Sequence, residues 1–172
     1  MDETNTERLE IAKNLIKNEK FEEAIVILEV LYDSNPDSEI IKRIYIDALF
    51  KYGIYLNDEY VLEYSKAIQY FKRIIDIDPN NYRAHYNLGI AYFNTNNLEQ
   101  ALKSCNFALK IKPDYKHCFY NIGLIYEARN QLKAALKYYQ KALDIDPNFT
   151  YAQQAINDLK QRVDLHEFFE SK

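Results

Sequence analysis

The 172-residue sequence has no tryptophan, one methionine, two cysteines, three glycines and four prolines. So little glycine and proline argues against hairpin-rich sheet folds, whose tight turns need special backbone conformations, and leaves an all-helical chain as the expectation. Two cysteines, Cys105 and Cys118, cannot build a disulfide framework, and the first twenty residues hold no charged stretch followed by an apolar signal core. A reducing, intracellular and hence cytoplasmic setting is expected. Long apolar runs are also missing: a stretch such as 24–28 is far short of the ~20 residues that cross a bilayer, so no membrane insertion is expected. Neither sign of charge dominates. With 22 Lys and Arg against 26 Asp and Glu, the net charge of -4 leaves no basic footprint for a nucleic acid. What the chain does hold is 48% hydrophobic residues, enough at this length for one continuous core and too many for a disordered tail.

All four prolines occur in one kind of phrase, Ser-Asn-Pro36-Asp, Ile-Asp-Pro79-Asn, Ile-Lys-Pro113-Asp and Ile-Asp-Pro147-Asn, at spacings of 43, 34 and 34. A fixed step of this size is the signature of a stacked array. Other residues keep it: Leu88, Gly89 and Tyr92 return as Ile122, Gly123 and Tyr126, and Leu98, Ala101, Ala108 and Leu109 return as Leu132, Ala135, Ala142 and Leu143. Phe21 and Ala24 stand to Pro36 as Tyr64 and Ala67 stand to Pro79. The step of 43 is therefore 34 with nine residues inserted between Gly53 and Tyr64.

Within a unit the apolar residues fall at helical spacing in two runs, which reads as two amphipathic helices joined by a tight turn. Gly89 and Gly123 sit inside the first helix, where glycine costs ~1 kcal/mol relative to alanine, so each needs a compensating close approach. The small Ala101 and Ala135 on the second helix are expected to supply it, with Leu98 and Leu132 filling the space beside the turn. Pro113 and Pro147 then end the second helix.

The set Asn87-Leu88-Gly89, Tyr92, Ala101, Ala108 and Pro113, repeated as Asn121-Ile122-Gly123, Tyr126, Ala135, Ala142 and Pro147, resembles the tetratricopeptide repeat family. The resemblance covers four units, 5–38, 39–81, 82–115 and 116–149. The first two depart from the pattern, with Ile11-Ala12 and Tyr45-Ile46 at the Leu-Gly position, and His85 and Phe119 stand where the family often has tryptophan. It implies an all-α, right-handed superhelix. Residues 150–172 follow as a capping helix and tail, with Ala152, Ile156, Leu159 and Val163 on an inward stripe and Gln153, Asn157, Lys160 and Gln161 outside. Phe168 and Phe169 in the tail read as either an interface or the trace of a further segment.

No enzyme, cofactor or metal site is expected. The histidines and cysteines lack the paired spacings of a structural zinc site, and three isolated glycines make no phosphate loop. His117-Cys118 could be a base and nucleophile, but Cys118 takes the register of Ala84 and Cys105 that of Tyr139, both core positions, so packed and inert thiols are expected. Asp76, Asp78, Asp144 and Asp146 recur at unit ends, as turn residues do.

The family binds peptides on the concave surface of its first helices. The resemblance and the helical period assign Arg43, Asp47 and Phe50 to that groove, with Arg83, Tyr86, Asn87, Ile90 and Phe93 from the third unit and His117, Tyr120, Asn121, Leu124 and Glu127 from the fourth. The asparagine amides would pair with the backbone of an extended ligand, and the aromatic and aliphatic side chains would form its pockets. A protein-interaction adaptor is the expected function. A competing reading is a co-chaperone-type module that grips acidic chaperone tails. Arg43, Arg83 and Asn87 fit that reading, but Asp47 stands where an amide is needed and His117 and Asn121 where cations are needed. The same architecture would also serve as a self-assembling scaffold, a homo-oligomer of this chain, or as the regulatory arm of a larger assembly. The insertion at 54–62 reads as a tolerated loop, against an extended second helix or an added contact surface.

Overall fold

The computed structural model describes residues 3–170, with side chains up to residue 162. Among the described residues there are nine α-helices and no strand: α1 (Glu3–Lys17), α2 (Phe21–Ser34), α3 (Glu39–Leu56), α4 (Tyr64–Ile77), α5 (Tyr82–Asn94), α6 (Leu98–Ile111), α7 (Lys116–Ala128), α8 (Leu132–Ile145) and α9 (Thr150–Glu170). Each packs on the next along the chain. In addition α1 touches α3 and α5 touches α7, so first helices of successive pairs are neighbours. The result is an all-α tetratricopeptide-type superhelix.

Two kinds of turn alternate, each with a local cause. Helices α2, α4, α6 and α8 each stop two residues before Pro36, Pro79, Pro113 and Pro147, because the residue before a proline is driven out of the helical region. At these turns Asp78 and Asp146 accept from the backbone N–H of Asn80 and Asn148, and Asn81 caps α5 by accepting from the Ala84 N–H at 3.1 Å. The other turns, inside each pair, place Glu19, Leu62, Asn96 and Asn130 in the left-handed region at φ 57–59°. After α1, α5 and α7 the next N–H reaches back five residues, Lys20 to Leu15, Asn97 to Tyr92 and Gln131 to Tyr126, at 2.8–2.9 Å. This bond closes the helix end with an otherwise unpaired carbonyl.

The second pair differs. Helix α3 has 18 residues where α5 and α7 have 13, while α4 keeps the 14 of α6 and α8. The inserted residues thus lengthen the first helix and also the turn, which spans 57–63 and closes by Glu63 N–H to Leu56 O at 3.0 Å. The expectation of a simple loop is corrected: the apolar Leu56, only 3% exposed, rewards another turn of helix.

The core runs the length of the stack. Leu28, Phe71, Cys105 and Tyr139 share one register and are all fully buried. A β-carbon added at Gly89 would lie 2.9 Å from Cys105 Sγ and 3.3 Å from Ala101 O, so there the second helix itself approaches. At Gly123 the obstacle is the Tyr139 ring, 2.3 Å away, so that glycine makes room for an aromatic side chain rather than for backbone. Ala152, Ile156 and Leu159 of α9 are buried against Ala135, Tyr139, Ala142 and Leu143, with Gln153, Asn157, Lys160 and Gln161 exposed, so α9 lays its apolar stripe on α8. The side chains of Val163, Phe168 and Phe169 lie outside the described residues.

Candidate functional site

The residues assigned to the groove fall on α3, α5 and α7, and ring contacts link these helices to one another and to α9. Between α3 and α5, the Arg83 guanidinium lies 4.6 Å from the centre of the Phe50 ring. Between α5 and the start of α7, Tyr86 packs on Tyr115 at 5.1 Å and on His117 at 6.1 Å. Between α7 and α9, His117 meets Phe149 at 5.1 Å, and Tyr120 meets Phe149 at 5.6 Å and Tyr151 at 6.1 Å. The strip is half-buried through its middle and opens at Tyr151, 64% exposed.

Other assigned residues sit differently. Phe50 was expected off the core stripe, yet it is 8% exposed and meets Phe71 edge-on at 6.0 Å. Gly53, one turn further along α3, faces the same ring, which turns this side of the helix inward. Asp47 is exposed and paired with Lys51 at 3.0 Å on its own helix. Arg43 lines a separate open cleft of about 510 Å³ with Ile40, Ile46, Asp78 and Asn81 among others. Ile90 is half-buried; Phe93 and Leu124 pack partly against the α6–α7 and α8–α9 cores. Asn87 is half-buried and donates its amide to Arg83 O at 2.8 Å, which leaves its carbonyl oxygen as the group for another chain. Glu127 accepts from the Tyr139 hydroxyl at 2.7 Å and pairs with Arg162 of α9.

The electrostatics are those of a quiet surface. Burial, reinforced by nearby Lys116, lowers the His117 pKa and favours the neutral imidazole; Asp146 opposes this. Burial raises the phenol pKa values of Tyr86 and Tyr120. Cys118 and Cys105 are both fully buried, and their mutual hydrogen bond and burial push the Cys118 thiol far up, which suppresses the thiolate a nucleophile requires. No group of three or more His, Cys, Asp or Glu able to hold a metal occurs among the described residues. No described helix is long and apolar enough to cross a membrane.

The sequence model described as "Tetratricopeptide repeat" matches residues 82–115 and 118–149, and one described as "TPR repeat" matches 63–96. The chain belongs to the tetratricopeptide repeat family. No match to a curated protein is found. Among solved structures, a MamA protein is 24% identical with a TM-score of 0.73, over 99% of this chain and 90% of its own. The first tetratricopeptide domain of Spaghetti (RPAP3), solved with the HSP90 peptide SRMEEVD, is 24% identical with a TM-score of 0.62, over 69% of this chain and 92% of its own. YrrB, described as a tetratricopeptide protein with an unusual peptide-binding site, is 19% identical with a TM-score of 0.61, over 86% of this chain and 89% of its own. At such identities the likeness is one of fold.

Two members of the repeat strip are not among the residues that the sequence assigns to the groove. Phe149 sits in the turn before α9, 6% exposed beneath His117 and Tyr120. Tyr151 lies 34 residues after His117, which itself lies 34 after Arg83, so carrying the tetratricopeptide step into α9 would have found it. The same register, taken back by 43, selects Ile40, 55% exposed on α3.

Proposed function

We propose that the chain is a non-catalytic adaptor built of units 5–38, 39–81, 82–115 and 116–149 with residues 150–172 as cap and tail, and that it binds an extended peptide or segment of another protein across α3, α5 and α7. The observation that carries this reading is the strip of rings and amides from Arg83 through Tyr86, Asn87, His117 and Asn121 to Tyr120 and Tyr151. Rings supply area at low entropic cost, amides pair with a backbone of any sequence, and a prebuilt surface lowers the ordering cost of binding. The peptide complex of the Spaghetti (RPAP3) domain and the peptide-binding site named for YrrB, both of this fold, support the same class of partner.

Peptides selected from a displayed library and titrated by calorimetry test the reading. Replacing Asn87→Ala together with Asn121→Ala should weaken them about tenfold or more, at the scale of one or two lost hydrogen bonds, with helicity unchanged by circular dichroism. Unchanged affinity with unchanged fold would remove the groove assignment. The peptide SRMEEVD is the control for a chaperone-tail clamp, and it should bind poorly because Asp47 repels its carboxylates.

A further inference from the structure

A second constellation lies away from this strip, where the end of α3 meets the start of α2. The rings of Phe21 and Tyr52 are 6.0 Å apart and tilted by 34°, and those of Tyr52 and Tyr55 are 6.1 Å apart and nearly parallel at 13°. With Glu19, Lys20 and Glu22 they line an open cavity of about 280 Å³. Tyr52 is 8% exposed and braced from behind by Tyr70 at 5.0 Å, while Tyr55 is 53% exposed. The Tyr52 hydroxyl donates to one Glu22 carboxylate oxygen, which orients that carboxylate at the cavity wall. The single lysine there is engaged by Glu23 at 3.3 Å, so Glu19 and Glu22 dominate the local charge.

Ring faces beside carboxylates select a cation, and the spacing narrows its shape. Two rings with centres 6.1 Å apart cannot admit a group between them, since that takes about 7 Å, so the cation must lie on an outer face. A planar guanidinium stacks on such a face and keeps its N–H fork for a carboxylate; a compact, strongly hydrated ammonium does the first poorly and the second singly. We propose that this corner binds an arginine side chain of a partner protein, with the guanidinium stacked on Tyr55 and its fork turned to Glu22. The site is particular to the second pair. By the 43-residue step Tyr52 takes the register of Thr95, past the end of α5, and Tyr55 is one of the inserted residues, so the corner exists only because α3 runs on to Leu56.

The proposal does not depend on the groove, and its test uses different probes. Isotope-labelled protein is titrated with capped Gly-Arg-Gly, and the Tyr52 and Tyr55 ring signals are followed by NMR, with the Lys and citrulline tripeptides as comparators. A saturable shift at both tyrosines is expected, weakened about tenfold or more by Tyr55→Ala, by Glu22→Gln and by citrulline, and less by lysine. Both substituted side chains are exposed, so circular dichroism should be unchanged, and Asn87→Ala with Asn121→Ala should leave the titration as in wild type. Linear, unsaturable shifts, equal affinity for the lysine peptide, or wild-type binding by either corner variant overturns the proposal.

Discussion

In the pairs α5–α6 and α7–α8 the helices meet at glycines one repeat apart, Gly89 over Cys105 and Gly123 over Tyr139. In α3–α4 the residue at the equivalent register is Ile46, which is half-buried and lines the Arg43 cleft. The glycine facing the Phe71 ring is Gly53, seven residues further along α3, where a β-carbon would lie 2.8 Å from the ring. Seven residues are about two helical turns, so the crossing point has slid along the same face of a longer helix while the ring-on-glycine contact has been kept. The comparison teaches that a repeat tolerates insertion when the second helix keeps its core side chain and the first helix can present another small residue to it.

The largest effects should come from the two rings. Phe71→Ala and Tyr139→Ala remove fully buried side chains and should each cost about 3–5 kcal/mol in urea unfolding. A much smaller cost for Phe71 alone would mean that Gly53 is not the working crossing of its pair. The glycines sharpen the contrast. Gly123→Ala forces a β-carbon to within 2.3 Å of a fully buried ring and should cost about 2–3 kcal/mol, outweighing the ~1 kcal/mol gain in helix propensity. Gly53→Ala, with its nearest atom at 2.8 Å, should cost about 1 kcal/mol, and equal costs would erase the distinction between the two regions.

The turns differ in the same sense. Asn96 and Asn130 hold the left-handed position in the regular pairs, while Leu62, 57% exposed, holds it in the second. Leucine has no side-chain amide to stabilise that conformation, so Leu62→Asn should raise stability by about 0.5–1 kcal/mol and Asn96→Leu should lower it by a similar amount, read from thermal unfolding. The smallest effect concerns pH and belongs to the C-terminal half. Because the folded state lowers the His117 pKa, the unfolded chain takes up the proton first as pH falls through about 6.5, and stability drops from there downward. Urea midpoints measured from neutral to mildly acid pH should fall less steeply in His117→Asn than in wild type. An unchanged slope would show that this histidine is not held neutral.

Much of the fold was legible in order of residues alone. Prolines 36, 79, 113 and 147 marked where second helices stop, because a proline's constraint on its predecessor is local. The burial of Cys105 and Cys118 was legible too, since both stand on a repeated core register. Phe50 could not be placed correctly, because its burial follows from the sliding of the α3 crossing, which no periodicity within one helix reveals. Tyr151 was within reach of the 34-residue step, whereas Phe149 joins the strip only because its turn folds back beneath α7.

By itself the amino-acid order determined the helix pairs, their turns and the family, because proline geometry and helical period act over a few residues at a time. Tertiary packing decided which glycine meets which ring, how the nine inserted residues divide between helix and turn, and which aromatics join into one strip. Those outcomes depend on how whole helices slide to fill shared volume, and that balance is struck between segments distant in sequence.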